Sequence, residues 1–325
     1  MPETIVFLVS IAAVIFGADW LGNAATHIAN RLSIPRVIIG ATVVSLATTL
    51  PEITIAAVSG AEGSPELGLG TVFGSPIANI GLIFGILLLF SKPFLNRPYY
   101  SRTIQYFIIT LILVFVFFLD GSIQPIFSVV LIILGLIYLV VQSIMGGQEE
   151  SIIERLEHRL EGVRDLFSDG SSSLQIVYLV AGSLLLVLGA HFLVGSAVTF
   201  AEILGVPQII IGFVLIAFGT SLPEAITTVN SVLKGRIGLS AGNLFGASVL
   251  DLTFALGLGS VFNAASIDMP ALYLTIGGLA VLSLISLAVI LDRVSPRIIG
   301  ALLITSYILL LIWFTNLETA GLGFF

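Results

Sequence analysis

The chain has no cysteine, little charge and only three histidines, which are widely separated. The missing cysteine excludes a disulfide framework and any thiolate metal site, and it leaves the redox compartment unreadable. Three scattered histidines argue against a zinc cluster. Charged residues make up 10% of the 325 positions, where a soluble domain carries about 25%. The start, Met1-Pro2-Glu3, lacks the positive segment of a signal peptide. The first apolar stretch is therefore expected to be retained as a helix. No catalytic residue, cofactor or nucleic-acid partner is expected.

Apolar residues fill the space that charge leaves. They make up 57% of the chain, and mean hydropathy is +1.15. Runs long enough to cross a bilayer recur from end to end, which predicts an all-α polytopic membrane protein with the lipid bilayer as its main partner. The net charge of -7 says little about other partners, because most acids fall in loops.

Ten spans are expected, at about 4–28, 36–60, 67–91, 102–119, 123–145, 173–199, 208–232, 238–261, 270–291 and 297–316. The cations test this count. Arg31 and Arg36, then Lys92, Arg97 and Arg102, then Arg155, Arg159 and Arg164, then Lys234 and Arg236, then Arg293 and Arg297 account for all 12 Lys and Arg. All fall on one side of the ten-span arrangement. The positive-inside rule makes that side cytoplasmic and puts both termini outside a cell membrane. The long loop 146–172 is then cytoplasmic. Within it Ile153, Leu156, Leu160, Val163 and Phe167 have helical spacing, which predicts an amphipathic connector helix.

The chain also contains itself twice, 172 residues apart. Gly17-Ala18 recurs as Gly189-Ala190, Pro35 as Pro207 and Gly40 as Gly212. Thr48-x-Leu50-Pro51-Glu52 recurs as Thr220-x-Leu222-Pro223-Glu224, and Phe73-Gly74 as Phe245-Gly246. The copies occupy 1–145 and 173–325, on either side of the loop. Each holds five spans. Five is odd, so the second copy enters from the opposite face, giving two inverted five-helix repeats.

Each copy carries an acid where hydrocarbon is expected. Thr49-Leu50-Pro51-Glu52 and Ser221-Leu222-Pro223-Glu224 read as capping boxes. Near the bilayer midplane, a helix start means a broken transmembrane helix. Pro51 and Pro223 cannot donate to the carbonyls four residues earlier. Each freed carbonyl costs several kcal/mol in hydrocarbon unless something replaces the lost bond, and a cation can do so. The carbonyls of 45–48 and 217–220 are thus candidate ligands. An acid at a helix centre costs roughly 2.5–3.5 kcal/mol, so one in each copy implies a use. The next span of each copy adds Asn79, four residues after Ser75, and Asp251, four after Ala247. A donor set of carboxylates, hydroxyls, amide and carbonyls suits hard cations such as Ca²⁺ or Na⁺, not copper or zinc. If Glu52, Glu224 and Asp251 share one cavity, three Na⁺, or Ca²⁺ with a proton, balance their charge.

At these residues the chain resembles the cation/Ca²⁺ exchanger superfamily, most closely the prokaryotic sodium/calcium exchangers. The likeness is sharpest over 36–85 and 208–257, the two α-repeats. The family pattern G-T-S-L-P-E stands intact as Gly219 to Glu224, and the first copy reads Ala47-Thr48-Thr49-Leu50-Pro51-Glu52. A second family pattern runs from Gly70 to Asn79 and from Gly242 to Asp251. The resemblance implies four cation positions between Glu52 and Glu224. Carbonyls of Thr48 and Thr220 would help hold Ca²⁺. Carbonyls of Ser45 and Ala217, with Thr49, Ser221 and Ser75, would help hold Na⁺, while Asn79 and Asp251 flank the centre. It also implies that spans 1 and 6 slide as a gating pair, in a protein that works as a monomer. Two departures stand out. Ala247 replaces the family's serine, removing one hydroxyl, and Pro76 replaces a small or polar residue.

The expected activity is antiport of Na⁺ against Ca²⁺. Its alternative is an H⁺/Ca²⁺ exchanger of the same fold, whose usual G-N-A-x-E motif is absent at 48–52. A cation channel would be slowed by tight binding at two central carboxylates. An intramembrane enzyme would need a base near the acids, and no histidine lies close to either motif in the sequence. Asp19 and its counterpart His191 are expected either near helix ends, hydrated or paired, or along an aqueous access path used by protons.

Overall fold

The computed structural model describes residues 2–32, 36–61, 66–90, 97–144, 170–203, 221–262, 265–266, 269–291 and 294–319. The amphipathic stretch expected within 146–172, and Ala217 and Thr220, lie outside these residues.

The described chain is almost wholly helical. Helix α1 is Pro2–Arg31. The next span is bent: α2, Arg36–Thr48, meets α3, Leu50–Ala61, at 46° across Thr49. Then come α4 (66–90), α5 (Arg97–Phe117), α6 (Pro125–Ile144) and α7 (Gly170–Ile203). After the second motif follow α8 (Leu222–Leu233), α9 (Ile237–Ser260), α10 (Met269–Leu291) and α11 (Pro296–Thr319). Among the described residues, five single helices are long and apolar enough to cross a membrane, and the bent pair makes a sixth. A two-residue antiparallel ribbon pairs Ser122 with Ser266 and Ile123 with Ala265.

Two apolar clusters form. One gathers Phe73, Phe84, Phe107, Phe118, Tyr138 and Phe245 with the aliphatic side chains of α4 to α6 and α9 to α11. The other joins α1 to α7 through Val14, Ala18, Leu21, Ala25 and Leu186, with Ile39, Val44 and Leu239 at its margin. Small residues make the α1–α7 seam. A Cβ on Gly17 would stand 2.5 Å from the Leu186 nitrogen, and one on Gly189 would stand 3.0 Å from Val14. Backbones this close suit helix association in lipid, where apolar area gives no driving force and close contact does.

Those two contacts are one contact seen twice. Shifting each residue by the repeat length and exchanging halves turns Gly17–Leu186 into Gly189–Val14. The same operation turns Gly85 against the Gly300 carbonyl and Ile304 into Gly257 against the Ser128 carbonyl and Ile132.

The clusters are also tied by polar groups. Lys234, just after α8, pairs with Asp19 of α1. Arg236 donates to the Asn23 side-chain oxygen at 2.8 Å, and Asn230 donates to Asp19 at 3.4 Å. Asp19 is therefore paired, but within α1 rather than near its end as its first expectation had it. His191 is exposed, its ring 5.5 Å from that of Phe192.

Candidate cation site

The site grows from a bent span, a helix start and a pair of π turns. Thr49 interrupts the first motif with φ -83° and ψ 0°, and Ser221 opens the second with φ -84° and ψ 6°. Two different residues thus take one bridge-region conformation, each two positions before the proline. A π turn within α4 at Ala78–Ile83 is matched within α9 at Asp251–Ala255. These wider turns contain Asn79 and Asp251, and π turns concentrate at functional sites. Pro76 is not their cause, because Ser248 occupies its place in the second copy and the π turn forms there too. A further π turn, Gly40–Val44 in α2, has its Ala41 carbonyl capped by the buried Tyr138 hydroxyl at 3.0 Å.

The capping boxes are not made. Ser221 forms no side-chain cap bond. The Thr49 hydroxyl crosses to the other copy and reaches Glu224 Oε1 at 3.5 Å. Each proline already sits in the first turn, where the missing donor costs nothing, so the hydroxyls are not needed as caps. Nor is the Ser45 carbonyl freed by the break. It accepts the Thr49 N–H at 2.9 Å and the Thr48 hydroxyl at 3.3 Å.

Glu52, Glu224, Asp251, Asn79, Thr48, Thr49, Ser45 and Ser221 are all fully buried, and Ser75 is 1% exposed. Thr48 and Thr49 both lie beside Glu224, and Ser75 lies beside Asp251. Asn79 donates to Ser75 Oγ at 3.3 Å, as their four-residue spacing predicts, which turns its oxygen elsewhere. The three carboxylates are within Coulombic reach of one another.

The polar side-chain atoms left over among the described residues are all oxygens. Both Glu52 oxygens, both Asp251 oxygens, Glu224 Oε2, Asn79 Oδ1 and the hydroxyls of Ser221 and Thr228 have no hydrogen-bond partner among the described residues. No Lys, Arg or His partners the three acids there either. Buried groups in this state are rare, and each calls for a ligand or a proton. The oxygens do not make one three-carboxylate centre: among the described residues no three acids or histidines converge closely enough to hold one ion. The buried donors are all hard oxygens, carboxylate, hydroxyl and amide, the chemistry that hard cations take.

Three contributors were not singled out from the sequence. Asn243, 1% exposed, bridges Thr48 to Thr227. Thr228 stands one turn beyond Glu224 with its hydroxyl turned inward. A signal for Asn243 existed: it is the one amide in Ile237–Leu250, a run otherwise of small and apolar residues after its first turn.

Comparison with known proteins reaches over nearly the whole chain. A family profile described as sodium/calcium exchanger protein matches residues 3–144 and 174–316. An uncharacterized membrane protein of Methanocaldococcus jannaschii is 30% identical over 279 residues, covering 86% of this chain and 87% of its own. The sodium/calcium exchanger MaX1 of Methanosarcina acetivorans is 26% identical, covering 87% and 91%. The solved exchanger NCX_Mj, soaked with 2.5 mM Na⁺ and 0.1 mM Ca²⁺, superposes with a TM-score of 0.81 at 26% identity, covering 95% of this chain and 97% of its own. With both halves matched by one profile, and with a membrane exchanger's fold, the chain belongs to the sodium/calcium exchanger family.

Proposed function

We infer that this protein is a secondary antiporter that exchanges Na⁺ for Ca²⁺ by alternating access, with its cations held between Glu52 and Glu224. The observation that carries this reading is the set of buried, partnerless carboxylate oxygens beside the bent span at Thr49 and the helix start at Ser221. Carboxylates in such a place are stable when cations neutralise them, and several adjacent positions let Na⁺ displace Ca²⁺ by competing for the same oxygens. Thr48, Thr49, Ser221, Ser75, Asn79 and Asp251 complete the positions. Thr220, by repetition of Thr48, supplies a backbone oxygen from the other side, and Ala217 the carbonyl that corresponds to Ser45 only where its hydrogen bonds leave a lone pair. The family membership and the exchanger relatives support a transporter of Ca²⁺ over an enzyme.

The chain crosses the cell membrane ten times in this reading, as two inverted repeats with both termini outside and 146–172 inside. The charge distribution supports it, as do the contacts that recur with the halves exchanged. It works as a monomer, since each copy supplies half of the site.

The experiment is ⁴⁵Ca²⁺ uptake into proteoliposomes loaded with Na⁺ and diluted into Na⁺-free buffer, beside K⁺-loaded and pH-jump controls. Uptake is expected only with the outward Na⁺ gradient. Uptake driven by the pH step alone would replace Na⁺ coupling with H⁺ coupling. Glu52→Gln and Glu224→Gln are each expected to abolish uptake while the purified protein stays monodisperse. Robust exchange in either variant would remove the carboxylates from the site.

A further inference from the structure

We propose that Asn243 is a positioning residue, whose Oδ1 accepts a hydrogen bond from the Thr48 hydroxyl so that the hydroxyl's lone pairs are presented to the cation. The proposal rests on the cation site lying between Glu52 and Glu224.

Proton counting carries the argument. The Thr227 hydroxyl lies 2.7 Å from the Pro223 carbonyl and 3.0 Å from the Glu224 carbonyl. Both are acceptors, so its single proton is committed to the backbone. Toward Asn243, 3.1 Å away, Thr227 can therefore only accept. This puts the amide nitrogen of Asn243 on that side and its Oδ1 on the other, 3.2 Å from the Thr48 hydroxyl. Two acceptors then meet Thr48, Asn243 Oδ1 and the Ser45 carbonyl at 3.3 Å. Its proton has a place to go other than Glu224. An ungoverned hydroxyl beside a carboxylate turns its proton to that carboxylate and shows a cation the wrong end. Here the orientation set at Pro223 passes through two side chains and leaves lone pairs facing the site. All three relay residues are at most 4% exposed, so water does not compete. The second copy's Asn243 and Thr227 have as first-copy counterparts Thr71 and Ile55. Ile55 has no hydroxyl, so the first copy's sequence does not repeat this relay.

The test measures half-saturating Ca²⁺ and maximal rate for Na⁺-driven uptake by the full-length protein in proteoliposomes. Asn243→Leu is expected to raise half-saturating Ca²⁺ about tenfold, the low end for residues that orient metal ligands, with less effect on maximal rate. Thr227→Val, which keeps the shape and removes the hydroxyl, is expected to raise it as well. Thr227→Ser, which keeps the hydroxyl, restores the wild-type value. In a Thr48→Val background Asn243→Leu adds nothing further, which a merely structural role for Asn243 would not produce. Unchanged half-saturation in both Asn243→Leu and Thr227→Val overturns the relay, and so does an undiminished Asn243→Leu effect in the Thr48→Val background. Should Asn243→Leu fail to give monodisperse protein, the Thr227→Val and Thr227→Ser pair decides alone. Loss of uptake in Glu52→Gln with neutral relay variants sinks the relay and keeps the site. Retained uptake in Glu52→Gln sinks both.

Discussion

Adding one methyl group at Gly242 should damage this protein, and adding the same group one turn earlier should not. A Cβ on Gly242 would stand 2.0 Å from the Val37 carbonyl oxygen, 2.9 Å from its carbon and 3.0 Å from the Ala41 nitrogen. Ordinary carbon–oxygen contact begins near ~3.4 Å, so α2 and α9 would have to part by roughly 1.4 Å. The obstacle is helical backbone, which cannot swing aside as a side-chain end does. At Gly238 the nearest atom to a new Cβ is the Val37 nitrogen at 3.7 Å, which is comfortable contact. Both glycines lie within α9 and face one residue of α2. The gain from replacing a helical glycine, about 0.5–1 kcal/mol, is therefore common to both variants and cancels. What remains is the overpacking cost, about 1–3 kcal/mol. The displacement also matters locally, because α2 ends at Thr48 and α9 carries Asn243. Misplacing a positioned group by about 1 Å can cost on the order of a hundredfold in rate. Thermal denaturation followed by size-exclusion chromatography, with ⁴⁵Ca²⁺ uptake beside it, reads both effects. Gly242→Ala is expected to melt below wild type and to lose most uptake, and Gly238→Ala to match or exceed wild type in stability with uptake kept. Equal stability and uptake in the two variants would refute the close approach of α2 and α9 as the cause.

Tyr138→Phe removes the hydroxyl that caps the Ala41 carbonyl in the α2 π turn and should cost about 1 kcal/mol of stability; an unchanged denaturation midpoint would contradict this. Asp19→Asn unpairs Lys234 at a half-exposed place, where such a pair contributes roughly 0–1 kcal/mol, so the pH profile of uptake should not move, and a displaced profile would mean that Asp19 handles protons. Ala247→Ser restores a hydroxyl at the position that corresponds to Ser75, and half-saturating Na⁺ should fall; no change, or a rise, would mean that the position does not face Na⁺.

The features legible in the sequence are those whose chemistry is costly in a membrane. An acid within an apolar run, or a proline at a midplane, is expensive enough to stand out, so Glu52, Glu224, Pro51 and Pro223 marked the breaks, and repetition pointed to Asn79 and Asp251. Hydroxyl geometry was not legible. Thr49 and Ser221 have the spacing of caps, yet with a proline in the first turn of each helix the hydroxyls are released for other work. Asn243 and Thr227 look like ordinary polar residues between helices, and only their distances to Pro223 and Thr48 show which way the protons run. The π turns left no mark either, since they change how many residues fill a turn and not which residues do.

The contacts that recur when the halves are exchanged give the molecule a built-in control. A substitution in one copy has a sequence twin 172 residues away, and at Gly17 and Gly189 or Gly85 and Gly257 the twins share a local frame. Where twins match, as with Gly85 and Gly257, equal responses measure the scaffold. Where they differ, as with Ile55 and Thr227, or Thr71 and Asn243, the difference isolates what the two copies do not share. Swapping such twins, one pair at a time, would convert sequence asymmetry into a measured directional preference of transport, with the untouched half of the same polypeptide as the reference.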